Sequence, residues 1–369
     1  MRKVEKVFLN GRYLSQPTTG VQRHAAELVR ALDATCRGMG TEFDFALLAP
    51  PDSREESILR EIPVRRVGRL RGQLWEQLDL PRYARDGVLL SFANTGPVVH
   101  ARQAVTIHDA SVFAVPKSYS PAFRAWYRIL LPQIARSARR IATDSEFSRG
   151  ELARWMGIDP DRIQVVMCGC EHILREPIDT SVLAVAGVEG RGYVLATGGY
   201  RPHKNLALVE EAVRRLGAEA PLLVVVGRPN PRVFAGGALA SGAVTLDHVT
   251  DAQLRALYEH ALCLVYPSWY EGFGLPPLEA MACGCPTIVA RAGSLPEVCG
   301  SAAMYVEPHD PDELAAAIAT LVRDEDARRE LSRRGKRHAS GFTWQAAAEG
   351  TLELLRHSRL HSSRNPGAD

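Results

Sequence analysis

Two glutamates eight positions apart, Glu271 and Glu279, stand in the segment YPSWYEGFGLPPLEAMACGCP, which covers residues 266–286. Two carboxylates could form the acid/base pair of a hydrolase. The pattern predicts that Glu271 lies in a glycine loop and that Glu279 lies in the first turn of the next helix. A glutamate in a first turn also stabilises the helix dipole, so a purely structural role stays open for Glu279.

Two cations, Arg201 and Lys204, stand three positions apart in RPHKN, at the predicted start of another helix. Both side chains bind phosphate, arginine as a fork and lysine as a point charge. Cations at a helix N-terminus oppose the helix dipole, which favours an anion between them. A solvated surface is the alternative interpretation.

Two further positions could contribute chemistry from the N-terminal half. His108 and Asp109 follow the apolar run AVTI and form either an acid/base pair or a polar strand end. Thr19 and Gly20 precede the helical stretch VQRHAAEL, where free N–H groups could bind an anion. The alternative for Gly20 is a tight turn.

Short β-rich runs alternate with helical stretches and would position these residues. The runs are KVFLN, FDFALLA, GVLLSF, AVTIH, RRIATDS, IQVVM, YVLATGG, LLVVVG, AVTLDH, LCLVYPS, PTIVA and AMYVE, and the helical stretches include 21–33, 204–216, 251–260 and 311–323. This alternation predicts an α/β fold with parallel sheets covered by helices. Twelve strands exceed one such sheet, so we expect two doubly wound halves. Ligands bind beyond the carboxyl ends of such strands, where the candidate residues fall.

The boundary between the halves is expected in residues 170–192, where Pro, Gly and small residues show no clear period and predict a linker. We therefore place an N-terminal domain at 1–172 and a C-terminal domain at 173–344. Residues 345–369 form a final helix and a frayed tail, and we expect that helix to return to the N-terminal domain.

Composition narrows the class of protein. The 369 residues are 46% hydrophobic and 24% charged, with a net charge of +3, which does not indicate a nucleic-acid partner. No run approaches the roughly 18 apolar residues of a membrane span, and the N-terminus does not read as a signal peptide. Seven cysteines suggest reduced thiols in a cytosol. The two Cys-x-Cys pairs, Cys168/Cys170 and Cys283/Cys285, favour small buried residues over a zinc site.

The segment EGFGLPPLEAMACGCPTIVARAGSLPEV resembles the E-x7-E signature of the family 4 retaining glycosyltransferases. The segments TTGVQRHAAELVRAL, VTIHDASVFAVPKSYSP, ATDSEFSRGEL, GGYRPHKN and LDHVTDAQLRALY fall in the order of that family. The resemblance implies the GT-B architecture, in which two Rossmann-like domains face each other across a cleft. It also implies a nucleotide-diphosphate sugar as donor.

The resemblance implies site residues as well. Catalytic roles fall to His108, Asp109, Arg201, Lys204 and Glu271, and donor-binding roles fall to Thr19, Gly20, Val249, Ser268, Phe273, Gly274, Leu275 and Glu279. Glu271 would bond the sugar hydroxyls, Glu279 would hold the ribose diol, and His108 would lie at the sugar from the other domain. The two cations would neutralise the departing diphosphate, so neither a metal nor another cofactor is implied.

The function implied is transfer of a hexose with retention, leaning to mannose from GDP-mannose. The acceptor would be a glycan or a lipid-linked oligosaccharide of bacterial surface polysaccharide or O-antigen assembly. A UDP- or dTDP-sugar donor is the first alternative, and a nucleotide-sugar 2-epimerase or a non-catalytic nucleotide-sugar binder is the second. The basic segments 65–72 and 120–140 predict either docking on an anionic membrane surface or an ordinary solvated face.

Overall fold

The structure, a computed structural model, describes residues 4–38, 42–54, 59–199, 201–227 and 243–360. The chain forms two compact units. The first contains the residues up to Ala110, the segment Ala125–Gly169 and the residues from Trp344 onward. The second contains Ser111–Arg124 and Cys170–Thr343. The sequence does not indicate that Ser111–Arg124, from the N-terminal half of the chain, belongs with the second unit.

Each unit is built on one parallel sheet. The strands are β1 (Glu5–Asn10), β2 (Phe43–Ala49), β3 (Val64–Arg66), β4 (Val88–Ser91), β5 (Gln103–Thr106), β6 (Arg140–Thr143), β7 (Ile163–Val165), β8 (Tyr193–Thr197), β9 (Leu222–Val226), β10 (Val244–Leu246), β11 (Cys263–Tyr266), β12 (Thr287–Ala290) and β13 (Met304–Val306). The first sheet has the order β3-β2-β1-β4-β5-β6-β7 and the second has the order β10-β9-β8-β11-β12-β13. Both orders reverse direction at the centre, which is the doubly wound pattern. The predicted fold class of two Rossmann-like domains is confirmed.

Helices connect the strands. They are α1 (Gly20–Gly38), α2 (Gly72–Leu74), α3 (Leu80–Tyr83), α4 (Ser111–Ala114), α5 (Pro121–Ser137), α6 (Glu146–Met156), α7 (Ser181–Val185), α8 (Leu206–Arg215), α9 (Asp251–His260), α10 (Leu275–Ala282), α11 (Leu295–Cys299), α12 (Pro311–Arg323), α13 (Glu325–Ala339) and α14 (Trp344–Leu360). A π-helical turn, Trp75–Asp79, joins α2 to α3. The final helix α14 packs against α1 within the first unit.

Continuous apolar runs explain the central strands. β8, β11 and β12 are buried along their whole length, as expected for parallel strands that have helices on both faces. Helices α8 and α12 cover one face of the second sheet, and residues such as Val209 and Ile318 are completely buried in that core. Each such side chain contributes roughly 1.5–3 kcal/mol when it leaves water.

All twelve predicted runs contain strands, and the structure adds β3, whose three residues were too few and too basic to be recognised. The helix predicted at 21–33 is longer, because α1 continues to Gly38. The predicted linker 170–192 is partly ordered, since it holds a 3₁₀ turn at Glu171–Leu174 and helix α7. The tail predicted to fray after His361 lies outside the described residues. None of the described helices is long and apolar enough to cross a membrane.

Candidate active site

The centre of the second sheet brings two candidate loops together. β8 and β11 are neighbours, and the chain leaves them toward opposite sides of the sheet, which opens a crevice beyond their carboxyl ends. The loop after β8 carries Arg201 and Lys204, and the loop after β11 carries Ser268 and Glu271. Two loops far apart in sequence therefore place four of the predicted residues at the same edge of the sheet.

Glycine shapes the loop after β8. Gly198 has a φ of +106°, and a Cβ there would lie 3.1 Å from Cδ of Lys204. A side chain at this position would therefore press on the lysine stem as well as adopt an unfavourable backbone conformation. Arg201 precedes a 3₁₀ turn, Pro202–Lys204, and α8 begins after it. The predicted helix start is thus a 3₁₀ turn followed by a separate helix.

Lys204 and Glu271 form an ion pair. Nζ of Lys204 donates to Oε1 of Glu271 at 2.7 Å and to the hydroxyl of Tyr266 at 2.5 Å. Both charged side chains are about one-tenth exposed. Nζ also lies 4.8 Å from the centre of the Tyr266 ring, within reach of a cation–π contact. The pair holds both groups in fixed positions at the mouth of the crevice.

The pKa of Glu271 reflects two opposing effects. Burial raises it, but the charge of Lys204 and the hydrogen bond from Lys204 outweigh burial and hold the pKa of Glu271 below its usual range. Burial, reinforced by Glu271, raises the pKa of Tyr266, so this hydroxyl remains protonated. Burial lowers the pKa of His203 to about 4, which leaves His203 neutral near pH 7.

The glycine loop around Glu271 is braced by the loop after β12. Gly293 has a φ of +59°, and a Cβ there would lie 2.9 Å from the backbone nitrogen of Glu271. Ser294 donates its hydroxyl to the carbonyl of Phe273 at 2.8 Å. Gly274 is left-handed, with a φ of +98°, and α10 begins directly after it at Leu275. The backbone of Phe273, Gly274 and Leu275 is thus fixed as a turn into a helix.

Glu279 occupies a different environment from Glu271. Its Oε1 lies 2.9 Å from Nε2 of His172, and its Oε2 accepts from the hydroxyl of Tyr258 at 3.2 Å. Glu279 is the fifth residue of α10, and the first turn contains no acidic residue. The prediction that Glu279 lies in the first turn is therefore wrong, because α10 begins at Leu275, four residues before Glu279. Stabilisation of the dipole does not explain a buried glutamate in the second turn.

His108 is held by both ring nitrogens. Nδ1 lies 2.6 Å from Oδ2 of Asp144, and Nε2 lies 3.0 Å from the carbonyl oxygen of Phe92. Both partners are acceptors, so the two contacts favour the imidazolium form, in which both nitrogens donate. Burial lowers the pKa of His108, but the charge and hydrogen bond of Asp144 outweigh burial, and the pKa is raised. The backbone N–H of His108 also donates to Asn94 at 2.8 Å.

The carboxylate bonded to His108 is Asp144, which sequence reasoning missed in favour of the adjacent Asp109. Asp144 follows β6, and β6 is the neighbour of β5 in the sheet. Polar residues at the carboxyl ends of neighbouring strands meet at the same edge of the sheet. The position of Asp144 in ATDSEF, directly after a predicted strand, is therefore the feature that could have identified it as a partner of His108. Asp109 is half-buried.

The remaining predicted donor-binding residues lie in separate places. Thr19 directly precedes α1, and its backbone N–H and its hydroxyl both donate to Oε1 of Gln22. Gly20 is exposed, and a Cβ there would meet nothing within 4 Å, so its own turn does not require glycine. Val249 lies half-buried between β10 and α9, just before the capping residue Thr250.

The sequence contains three Asp-x-Asp spacings, a pattern that could suggest a metal site beside a diphosphate, and in each the first aspartate caps a turn or helix. Asp159 accepts from the N–H of Asp161, and Asp310 accepts from the N–H groups of Asp312 and Glu313. Asp324 accepts from the N–H of Ala327 at the start of α13. These aspartates therefore have a local structural role.

Comparison with known proteins identifies both halves. A model described as glycosyl transferases group 1 matches residues 184–338, and a model described as glycosyltransferase family 4 matches residues 18–172. The chain is 34% identical over 268 residues to O-antigen chain mannosyltransferase B of Escherichia coli, covering 69% of this chain and 70% of that protein. It is 29% identical to O-antigen chain mannosyltransferase RfbU of Salmonella typhimurium, covering 61% and 62%.

Solved structures share the fold. HepE of Anabaena in complex with UDP-glucose superposes with a TM-score of 0.72 and 17% identity, covering 96% of this chain and 100% of that one. The family matches and the curated relatives agree with the pair of Rossmann-like units. This chain belongs to family 4 of the glycosyltransferases.

Proposed function

We propose that this glycosyltransferase moves a hexose, mannose from GDP-mannose, to a glycan or lipid-linked acceptor during assembly of a bacterial surface polysaccharide such as O-antigen. The observation that carries the proposal is the Lys204–Glu271 ion pair in the crevice of the second sheet. Both mannosyltransferase relatives named above act, by name, on O-antigen chains. Their names support mannose as the sugar and a growing glycan as the acceptor.

The proposed division of roles follows from charge and burial. Lys204 and Arg201 neutralise the diphosphate as the bond to the sugar breaks, where charge stabilisation contributes most to catalysis. Glu271, ionised because of Lys204, accepts hydrogen bonds from the sugar hydroxyls. Glu279 accepts from the ribose, while His172 and Tyr258 hold its carboxylate in place. Transfer proceeds with retention, and the departing phosphate helps to take the proton of the acceptor.

A metal ion has no part in the proposed reaction. Two cationic side chains supply the positive charge that Mg²⁺ would otherwise bring to the diphosphate. No organic cofactor is proposed either, because the donor itself carries the group that is transferred.

A UDP-sugar donor is the second candidate. One specific observation favours it, which is the similarity in fold to HepE, whose structure contains UDP-glucose. A thermal-shift screen of GDP-mannose, UDP-glucose, UDP-N-acetylglucosamine and dTDP-rhamnose separates the candidates, because a ligand that binds only the native state raises the melting temperature. A larger shift with UDP-glucose than with GDP-mannose would overturn the preferred donor.

We further propose that the protein acts from the cytosolic face of the membrane, with α5 as a peripheral contact. Trp126 and Ile129 of α5 are 45% and 63% exposed, and they alternate with the exposed Arg124 and Arg128. The π-helical turn and the helix before it expose Leu74 and Leu78, at 62% and 48%. Exposed aromatic and aliphatic residues interleaved with arginine favour the interface of an anionic bilayer. The predicted basic segment 65–72 contributes only its arginines to the proposed membrane contact, because it consists of the end of β3 and the loop that follows.

The direct test of transfer measures release of the nucleoside diphosphate from GDP-mannose in the presence of lipid-linked oligosaccharide from the host. We expect release that depends on the acceptor and a product that is larger by one hexose. Conversion of the free nucleotide sugar to its 2-epimer would assign the protein to the epimerases. Tight binding of the nucleotide sugar without any turnover would indicate that the protein is a non-catalytic nucleotide-sugar binder.

A further inference from the structure

A pocket in the first unit lies between α1 and the loops that follow β1 and β2. Its volume is about 200 Å³, and all the described residues that line it belong to the first unit. The loops after β1 and β2 leave from the carboxyl edge of the sheet, which is the edge where parallel sheets bind their ligands. Arg201, Lys204 and Glu271, which have the main roles in the proposed transfer, belong to the second unit instead.

One face of α1 forms a wall of the pocket and carries two cations. Arg23 and Arg30 are seven positions apart in α1, which is about two helical turns, so both lie on the same side of the helix. Ala26 lines the pocket between them. Because the side chain of alanine ends at Cβ, it leaves a hollow between the two longer side chains.

Arg54 brings a third cation to the pocket from the loop after β2. Its backbone N–H and its Nε both donate to the carbonyl of Leu14, at 3.1 Å and 3.2 Å. Its Nη2 donates to the carbonyl of Gln16. These contacts hold the guanidinium against the turn that follows β1. Arg54 forms no ion pair with any residue that the structure describes, so no described carboxylate neutralises its charge.

Glu27 is the acidic residue among the described residues that line the pocket. Its side chain is buried, and its Oε1 accepts from Nη1 of Arg30 at 2.8 Å. This contact orients the guanidinium of Arg30. The three arginines and the one glutamate give the described lining a net charge of +2. A ligand with two negative charges or more would balance it.

The volume restricts the ligand to a small anion. A pocket of about 200 Å³ holds roughly six water molecules at about 30 Å³ each. Sites for drug-sized ligands usually measure about 300–1,000 Å³, so a whole nucleotide sugar does not fit. A diphosphate group does fit. Arginine binds the oxygens of such groups with parallel N–H···O bonds, which makes it the most suitable cation for this ligand.

We propose that the pocket between α1 and the loops after β1 and β2 binds a diphosphate group through Arg23, Arg30 and Arg54. Two sources carry this chemistry, a soluble diphosphate and the diphosphate of a lipid carrier. The pocket is distinct from the diphosphate site proposed in the second unit. It is independent of the proposed transfer reaction, since it concerns binding alone.

Calorimetric titration of the full chain with inorganic pyrophosphate tests the proposal. The chain carries Lys204→Met, so that the candidate site of the second unit contributes little to the signal. Arg23→Met and Arg54→Met should each weaken binding at least about tenfold, as expected when a charged hydrogen-bond donor is lost. Arg37→Met is the matched control, because Arg37 also belongs to α1 but does not line the pocket. Absence of pyrophosphate binding, or an equal loss in the control, overturns the proposal.

A further variant keeps the charges and removes the space. Ala26→Leu replaces a methyl group in the wall of the pocket with an isobutyl group, and leucine is also a strong helix former. Binding of pyrophosphate should be lost, while the melting temperature of the unliganded chain checks that the variant folds. Unchanged affinity in folded Ala26→Leu would mean that the anion binds to surface charge outside the pocket, which overturns the proposal.

Two ligands distinguish the sources of the diphosphate. Farnesyl diphosphate carries the same group on a short lipid chain, and it is titrated beside pyrophosphate under the same conditions. Tighter binding of farnesyl diphosphate that is lost in Ala26→Leu supports the pocket with a lipid carrier as its ligand. Equal affinities that are lost in Ala26→Leu support the pocket with a soluble diphosphate as its ligand. A chain that binds neither compound contradicts the site.

Discussion

The ammonium of Lys204 and the carboxylate of Glu271 lie 2.7 Å apart, although the two residues follow different strands and are 67 positions apart in sequence. Each therefore sets the electrostatic state of the other. Lys204 keeps Glu271 ionised, and Glu271 keeps the lysine head at the carboxyl end of β8. Substitution of either residue changes both, so the two variants should not have additive effects.

The two glutamates of the E-x7-E segment should differ in their kinetic effects. Glu271→Ala should mainly lower turnover, because the sugar changes charge and shape as its bond breaks. Glu279→Ala should mainly weaken donor binding, because a ribose contact is similar in the ground and transition states. Loss of one charged hydrogen bond corresponds to roughly 1.5–3 kcal/mol, or about 10- to 150-fold. Steady-state kinetics together with calorimetric binding of the nucleoside diphosphate separates the two effects.

His108→Ala serves as a comparison in the same experiment and should leave binding of the free nucleoside diphosphate unchanged. Normal turnover in a folded Glu271→Ala variant would contradict the role proposed for Glu271.

The acid limit of activity should depend on Lys204. The pKa of Glu271 is lowered in the folded protein, so its ionised form stabilises the fold above the unfolded pKa and that contribution is lost as pH falls through the folded pKa. Lys204→Met removes the charge that opposes burial, and the pKa of Glu271 should rise. The acid limb of the turnover profile should therefore move to higher pH. Turnover recorded from mildly acidic to neutral pH checks this shift.

Lys204→Met should also lower turnover at every pH, since the departing diphosphate loses a positive partner. Lys336→Met, at a lysine of the same unit in α13, is a suitable control. An acid limb that stays in place would show that Glu271 does not set it.

Removal of divalent metals should leave turnover intact. In the proposed reaction Arg201 and Lys204 supply the positive charge for the diphosphate. The first aspartate of each Asp-x-Asp spacing caps a turn or a helix. Initial rates before and after treatment with a chelator measure the effect. Activity that is abolished by chelation and restored by Mg²⁺ or Mn²⁺ would contradict this expectation.

Vesicles of anionic lipid should bind the protein through α5, and added salt should weaken the binding. Replacement of Arg124 and Arg128 by Glu should reduce sedimentation with such vesicles and leave donor hydrolysis unchanged. Arg329 and Arg333 of α13 are also exposed, so the same replacement there is the matched control. Equal binding to neutral and anionic vesicles would mean that the arginines of α5 are ordinary surface residues.

Removal of one partner from a buried ion pair of the first unit should cost more stability than removal of one partner from an exposed pair. Nε of Arg12 lies 3.0 Å from Oε1 of Glu76, and both side chains are almost completely buried. Glu76→Ala leaves a buried charge without its partner and should lower the free energy of unfolding by about 3–5 kcal/mol. Asp86→Ala breaks the exposed pair with Lys6 and should cost about 0–1 kcal/mol. Urea denaturation of both variants measures the difference, and similar midpoints would contradict it.

Long apolar runs make the strands of both sheets predictable from the sequence. A very short strand, or a contact between residues that follow different strands, is not predictable in this way. The sequence predicts β2 with its observed limits, because every residue of Phe43–Ala49 except Asp44 is apolar. β3 was missed because two of its three residues are arginines at the edge of the sheet. The lysine and glutamate were recognised individually, but their ion pair depends on the adjacency of β8 and β11. The sequence does not reveal the contact between Asp144 and His108, because the two residues follow different strands, β6 and β5, which become neighbours only in the folded sheet.

The grouping of Ser111–Arg124 with the second unit limits how this enzyme can be recombined. The hydroxyl of Ser118 lies 2.9 Å from Nδ1 of His203, one residue from Lys204. A chimera cut at residue 172 to exchange donor specificity would set the serine segment of one parent against the histidine of another. Crossover points at 111, 124, 170 and 343 would transfer Ser118 and His203 from the same parent. The second unit must therefore be exchanged as two separate segments, Ser111–Arg124 and Cys170–Thr343.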